Sequence, residues 1–254
     1  MDLQLTGKNV LVTGAGQGVG RAIADSFVAE GANVAYHYNT SGAGADEAAA
    51  AAIAGGATAM SVQADISSQA DVDRMVAAVE SELGSIDVLV NNAAFTPVGP
   101  FIELSSEDLE KAVDVTVLGM MRITQAVLRG MVPRGEGSIV SLMGDSGRVG
   151  ESRLAAVATT RSSTMGLMKS IAKEHGRDGI RANTISLGLV KSENFDAHTG
   201  FADDEKMQRI MKMYPVRRVG MPADVPPMVM LLASPLSAWV TGQTVSLNGG
   251  YSMV

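Results

Sequence analysis

The stretch VLVTGAGQGVGRAIA, residues 10–24, decides how the rest of the chain is read. Val10, Leu11 and Val12 belong to an apolar run of the kind that makes a strand buried on both faces. Residues 19–24 take up a helical pattern. Between the two stand Thr13, Gly14, Gly16, Gly18 and Gly20. Glycines at a strand-to-helix turn let the backbone bend sharply, approach a pyrophosphate closely and pack helix against sheet. The helix N-terminus then offers unpaired N–H groups and partial positive charge to phosphates. No G-K-S/T follows, which excludes the phosphate loop of ATPases.

Outward from this hinge, short apolar runs recur at 8–13, 32–38, 58–63, 86–91, 137–142, 180–186 and 243–248, with helical patterns between them. Such alternation predicts an α/β fold, a Rossmann-like doubly wound parallel sheet of about seven strands with helices on both faces. The rhythm has no linker and no repeat, so residues 1–254 read as a single dinucleotide-binding domain. The Ala/Gly-biased stretch 41–56 suits a short surface helix. After the sixth run, residues 187–218 are long, polar and weakly patterned. A segment placed there covers the crevice beyond the strand ends, so it reads as a substrate lid.

Composition narrows the function classes. The chain has 254 residues, 46% of them hydrophobic and 19% charged, as expected of a self-sufficient globular core. Its net charge of −7 argues against nucleic acid or an anionic membrane as the main partner. No uncharged apolar run reaches the 18–20 residues of a membrane span. The absence of cysteine excludes disulfides, thiolate zinc sites and cysteine nucleophiles. His37, His175 and His198 have no ligand spacing, so no metal is expected. The sixteen methionines read as flexible core or interface filler. The start MDLQLTGKNVLVTG has neither a basic leader nor a cleavage site, and a cytoplasmic protein is the expectation.

Folds selective for NAD place a carboxylate at the end of the second strand, against the ribose hydroxyls. Here that position reads YHYNTSG, with no acid before Asp46. Asn39, Thr40 and Ser41 offer donors to a 2′-phosphate, which weighs toward NADP(H) over NAD(H).

Together these residues resemble the short-chain dehydrogenase/reductase superfamily over nearly the whole chain. TGAGQGVG (13–20) matches its T-G-x-x-x-G-x-G loop, and Ala64–Asp65 its adenine-contacting acid. NNAA (91–94) is close to its N-N-A-G. LGLV (187–190) is similar to its P-G-x-[IV] segment, with leucine for proline. The C-terminal stretch RRVGMPADV…LLASPLSAWVTGQTVSLNGG is similar to that of 3-oxoacyl-carrier-protein reductases. The resemblance implies cofactor contacts from Gly14, Gln17, Gly18, Val19, Gly20, Asp65, Ile66, Asn92, Ala93, Gly188 and Val190. It also implies a homodimer or homotetramer, for which the apolar faces around 118–132 and 154–171 are suited.

The family's chemistry uses an Asn–Ser–Tyr–Lys set. Matching GSIVSLMGDSGRVG places Gly144 at the serine, Val157 at the tyrosine and Arg161 at the lysine. Matching DVTVLGMMRITQAV places Thr116 at the asparagine. Gly144 and Val157 carry no polar side-chain atom, so neither orients a carbonyl nor donates a proton. Arg161 keeps a positive charge and can hold ribose hydroxyls. With a pKa above ~12 it is expected to take no part in a proton relay. Losing a positioned general acid costs roughly 10²–10⁴ in rate.

Two residues are surrogate candidates: Asp145, in a loop expected to face solvent with Ser146, and Tyr214, in the lid with His198. GDSG (144–147) resembles a protease nucleophile segment only by coincidence in this fold. Three readings follow. The chain is an oxidoreductase on a carbonyl or hydroxyl substrate with unusual catalytic residues, a non-catalytic nucleotide-binding protein, or a non-redox isomerase or lyase using Asp145 as base.

Overall fold

The computed structural model describes residues 1–191 and 204–254. Seven parallel strands form one sheet in the order β3-β2-β1-β4-β5-β6-β7. They are β1 (Asn9–Val12), β2 (Asn33–Tyr38), β3 (Ala59–Gln63), β4 (Val88–Asn91), β5 (Gly137–Gly144), β6 (Ile180–Leu187) and β7 (Thr244–Leu247). Each falls on one of the runs predicted from sequence. The fifth continues two residues further, so that Gly144 ends a strand.

The strands are apolar on both faces because both are covered, and two hydrophobic clusters lie on opposite sides of the sheet. Val10, Val12, Val34 and Tyr36 pack with Ile23 and Phe27 of α1 (Gly18–Ala29). Leu11, Ala35 and Leu89 pack with Val72 and Met75 of α3 (Gln69–Leu83) on the other. The alanine-rich α2 (Gly42–Ala54) is more than a surface helix. It buries Ala45, Ala48, Ala49 and Ala52, small side chains that let it approach the sheet closely.

From Ser106 the chain runs through α4 (Ser106–Ala112), a π-helical segment (Val113–Gly119) and α5 (Met120–Arg134). By length and composition an 18-residue window within Ser106–Arg134 is apolar enough to cross a membrane, with a mean hydropathy of 1.2. The run also carries charges along its length, and Met120, Ile123, Val127 and Met131 are buried inward, as in a core helix. Beyond β5 come the short α6 (Ser146–Val149) and the long α7 (Ala155–His175). The inward face of α7 holds Val157 and Met168 together with Thr160 and Thr164, while Leu154 and Met165 are only partly covered. Thr160 tolerates burial because its hydroxyl donates to the carbonyl of Ala156 one turn back.

Of the segment 187–218 read as a lid, residues 192–203, with His198, lie outside the described residues. The remainder holds α8 (Asp204–Met213). The last helix, α9 (Pro226–Ala233), packs beside α1 and β5.

Candidate functional site: the nucleotide cavity

The strand order reverses between β1 and β4, and a crevice opens at the C-terminal ends of the strands there. It forms a cavity of about 600 Å³, within the usual range for small-ligand sites. The glycine loop forms its floor. Gly14 has φ +66° and lies against Asn92 and Ala93, where a Cβ would come within 3.1 Å of both. A Cβ on Gly20 would run into the Gly14 carbonyl and the Asn92 amide. This close packing leaves the first turn of α1, which carries no acidic residue, facing the cavity. These features fit a dinucleotide pyrophosphate.

The loop is braced from neighbouring strands. Thr13 Oγ1 accepts the backbone N–H groups of Asn92 (2.9 Å) and Ala93 (3.0 Å). The Asn92 amide donates to the carbonyls of Thr13 (2.9 Å) and Gly14 (3.1 Å). His37, near the end of β2, accepts the Gly14 N–H on Nδ1 at 3.1 Å and contacts the Ala64 carbonyl through Nε2 at 3.1 Å. With Nδ1 accepting, the proton sits on Nε2 and the ring is neutral. Burial lowers its pKa, against the opposing effects of the Ala64 carbonyl and Asp65.

All but one of the sequence-predicted cofactor residues line this cavity: Gly14, Gln17, Gly18, Val19, Gly20, Asn39, Thr40, Ser41, Asp65, Ile66, Asn92, Ala93, Arg161 and Val190. Gly188 does not. It packs behind the wall, where a Cβ would meet Asn248 and the ring of Tyr214 at 3.0–3.1 Å. Leu189 takes its place in the lining. His37, Phe95, Lys111 and Val115 also line the cavity and were not legible from the motifs. Lys111 Nζ lies 4.6 Å from the centre of the Phe95 ring.

The candidate catalytic residues are placed differently. Arg161 is the only one of them that lines the cavity. Arg161 is partly buried, and its guanidinium donates to the Leu142 carbonyl at 3.0 Å. Desolvation lowers its pKa to about 10, so it remains a cation at neutral pH. Val157 is buried on α7, and Gly144 ends β5 with Ser146 Oγ 3.4 Å from where its Cβ would lie. Thr116 sits in the π-helical segment, its hydroxyl donating to the Phe95 carbonyl and accepting the Phe95 N–H, both at 3.1 Å.

Asp145 corrects the expectation of a solvent-facing loop. Its carboxylate is 2% exposed and accepts from Ser186 Oγ (2.5 Å), Asn248 Nδ2 (2.5 Å) and Ser252 Oγ (2.9 Å). A carboxylate with three donors is a strut between strands and not a poised base. Ser146 is buried with it. Tyr214 is also buried, accepting the Leu189 N–H at 2.9 Å and stacking on Tyr251 with ring centres 5.2 Å apart. Burial raises its pKa. Among the described residues no tyrosine lines the cavity.

The comparisons agree with this geometry. The family model described as enoyl-(acyl carrier protein) reductase matches residues 14–252. The sorbitol dehydrogenase of Cereibacter sphaeroides is 33% identical over 256 residues, 98% of each chain. The 3-oxoacyl-[acyl-carrier-protein] reductase of Staphylococcus aureus is 33% identical over 250 residues, 97% of this chain and 98% of that one. The crystal structure of a Burkholderia cenocepacia gluconate 5-dehydrogenase in complex with NADP and tartrate superposes with a TM-score of 0.92 at 26% identity, covering 98% and 97% of the two chains. The chain belongs to the short-chain dehydrogenase/reductase superfamily of Rossmann-fold, dinucleotide-binding oxidoreductases.

Proposed function

We propose that the protein binds NADP(H) in the 600 Å³ cavity and acts as an oxidoreductase on a carbonyl or hydroxyl substrate without the family's Ser–Tyr–Lys chemistry. The observation that carries the reading is the braced glycine floor together with a cation, Arg161, in the same cavity. Gly14, Gly18 and Gly20 with the first turn of α1 would hold the pyrophosphate, and Asp65, Ile66 and Val115 the adenine. Asn39, Thr40 and Ser41, in the lining at the end of β2, offer hydrogen bonds to a 2′-phosphate, with no carboxylate among them. The gluconate 5-dehydrogenase complex with NADP supports that preference. Arg161, Leu189 and Val190 would receive the nicotinamide ribose. When bound, the dinucleotide supplies the hydride.

A second reading, a nucleotide-binding protein without turnover, is favoured by the buried apolar Val157 and by the full engagement of Thr116 and Asp145. The isomerase or lyase reading loses support from the same engagement of Asp145, its proposed base. Residues 187–218 act as the substrate lid in this proposal. A homodimer or homotetramer would cover the half-exposed Leu118 and Met121. We place the protein in the cytoplasm.

Calorimetry with NADPH and NADH, followed by hydride transfer to a panel of ketones and alcohols, tests the proposal. Tighter NADPH binding with turnover supports it. Tight binding with no turnover leaves the second reading. Light scattering at micromolar concentration tests the oligomer, which a monomer would remove.

A further inference from the structure

Arg161 is a partly buried cation whose guanidinium, among the described residues, hydrogen-bonds a neutral carbonyl. Its guanidinium donates to Leu142 O, and no carboxylate among the described residues forms an ion pair with it. Burying an unpaired charge is unfavourable, and such groups usually meet a counter-charge. Arg161 lines the cavity together with Leu189 and Val190, and Val157 is buried one turn before it on α7. Two other nitrogen bases line the cavity among the described residues. His37 uses both ring nitrogens, and Lys111 lies over Phe95.

We infer that Arg161 is the centre of an oxyanion site, and that the substrates it suits are activated carbonyls, with a second carbonyl or another electron-withdrawing group next to the reacting one. The inference rests on the dinucleotide reading above. With Val157 at the position of the family's tyrosine and no tyrosine among the described residues lining the cavity, hydride arrival leaves an alkoxide beside a fixed cation. The carbonyl carbon gains a C–H bond as a C–H bond of the dihydronicotinamide breaks, and the hydride carries both electrons. The carbonyl π pair moves onto oxygen, where Arg161 holds the negative charge. Water then protonates the alkoxide and hydroxide leaves to solvent. An electron-withdrawing neighbour lowers the basicity of that oxygen, so a preorganised positive charge is sufficient stabilisation. A simple ketone gives a strongly basic alkoxide and needs the missing acid.

Two measurements test this on the full chain. The first is a spectrophotometric titration of para-nitrophenol, whose phenolate is a stable acceptor like the alkoxide, bound in the presence of saturating NADP⁺. Arg161 lowers the bound phenol's pKa by about 1 unit or more. Arg161→Met abolishes the shift and Arg161→Lys retains part of it. An unshifted phenol, or an equal shift in Arg161→Met, overturns the inference. The second compares diacetyl with butanone as oxidants of NADPH. Diacetyl is reduced at least about 100-fold faster, the scale of a missing general acid. Equal rates would mean that a proton donor acts in the site, and no reduction of diacetyl would remove the substrate class. Calorimetry keeps the two proposals apart, since NADPH binding with no phenol shift overturns the oxyanion site alone.

Discussion

His37 Nδ1 accepts the Gly14 N–H at 3.1 Å, so the second strand holds the first turn of the glycine loop through a neutral imidazole. A protonated ring has no lone pair for that bond. The folded-state pKa is lowered, chiefly by burial, from an ordinary value of about 6.5. The unfolded chain therefore takes up the proton at higher pH than the folded one. The stability from His37 is fully present above about pH 6.5 and falls as pH drops from there toward the lower folded pKa. Asp65 is the charged neighbour that opposes the shift. Thermal melts and NADPH titrations across this range will show both stability and affinity falling on acidification, with His37→Gln flattening the affinity profile.

Gly20 is packed against the Gly14 carbonyl and the Asn92 amide, neither of which can retreat without opening the loop. Gly20→Ala will cost about 1–3 kcal/mol of stability through overpacking. It will also weaken NADPH binding at least about 10-fold, because the floor of the phosphate cradle moves. Chemical denaturation and calorimetry measure the two losses separately.

Arg161 works against stability while it serves binding. Its folded pKa of about 10 lies below that of a free arginine, so folding binds this proton less tightly than the unfolded chain does. The cation destabilises the fold at neutral pH, and that cost is relieved only as pH rises above about 10. Arg161→Met is expected to raise the ligand-free melting temperature by about 2–6 °C, from a gain on the order of 1–2 kcal/mol. The same change will weaken NADPH binding. A fall in the melting temperature would contradict the account.

Asp145 gives a contrasting outcome. Asp145→Ala strands Ser186, Asn248 and Ser252, and is expected to cost about 3 kcal/mol or more in denaturant unfolding. Asp145→Asn, which keeps a carbonyl acceptor, will cost less. In the folded fraction of either variant NADPH affinity stays within about 3-fold, because Asp145 does not line the cavity. A turnover loss in Asp145→Asn far beyond its stability loss would restore a role for this carboxylate as base.

Much of the fold was written locally in the chain. Each strand is a short apolar run between turn residues, and the Thr13–Gly20 segment carries its glycines where the strand meets the helix. Fourteen of the fifteen residues assigned to the cofactor duly line one cavity. What escaped the sequence depends on partners distant along the chain. His37 became a brace only because Gly14 and Ala64 close on it from two different strands. Asp145 looked like a loop residue because its acceptor bonds reach 41, 103 and 107 positions ahead. Thr160 is polar in sequence, yet its back-bond to Ala156 lets it face the core. Gly188 was placed by motif at the cofactor, while its closeness to Asn248 and Tyr214 puts it behind the wall.

The Asp145 strut also imposes an order on synthesis. When β1, β4 and β5 have left the ribosome, the glycine loop and its braces can already form around a nucleotide. The carboxylate at the end of β5 still has none of its three donors, and two of them, Asn248 and Ser252, are translated about a hundred residues later. The nascent chain thus holds half a binding site beside an unsatisfied charge. That charge gains its last donors only when the late-made segment arrives.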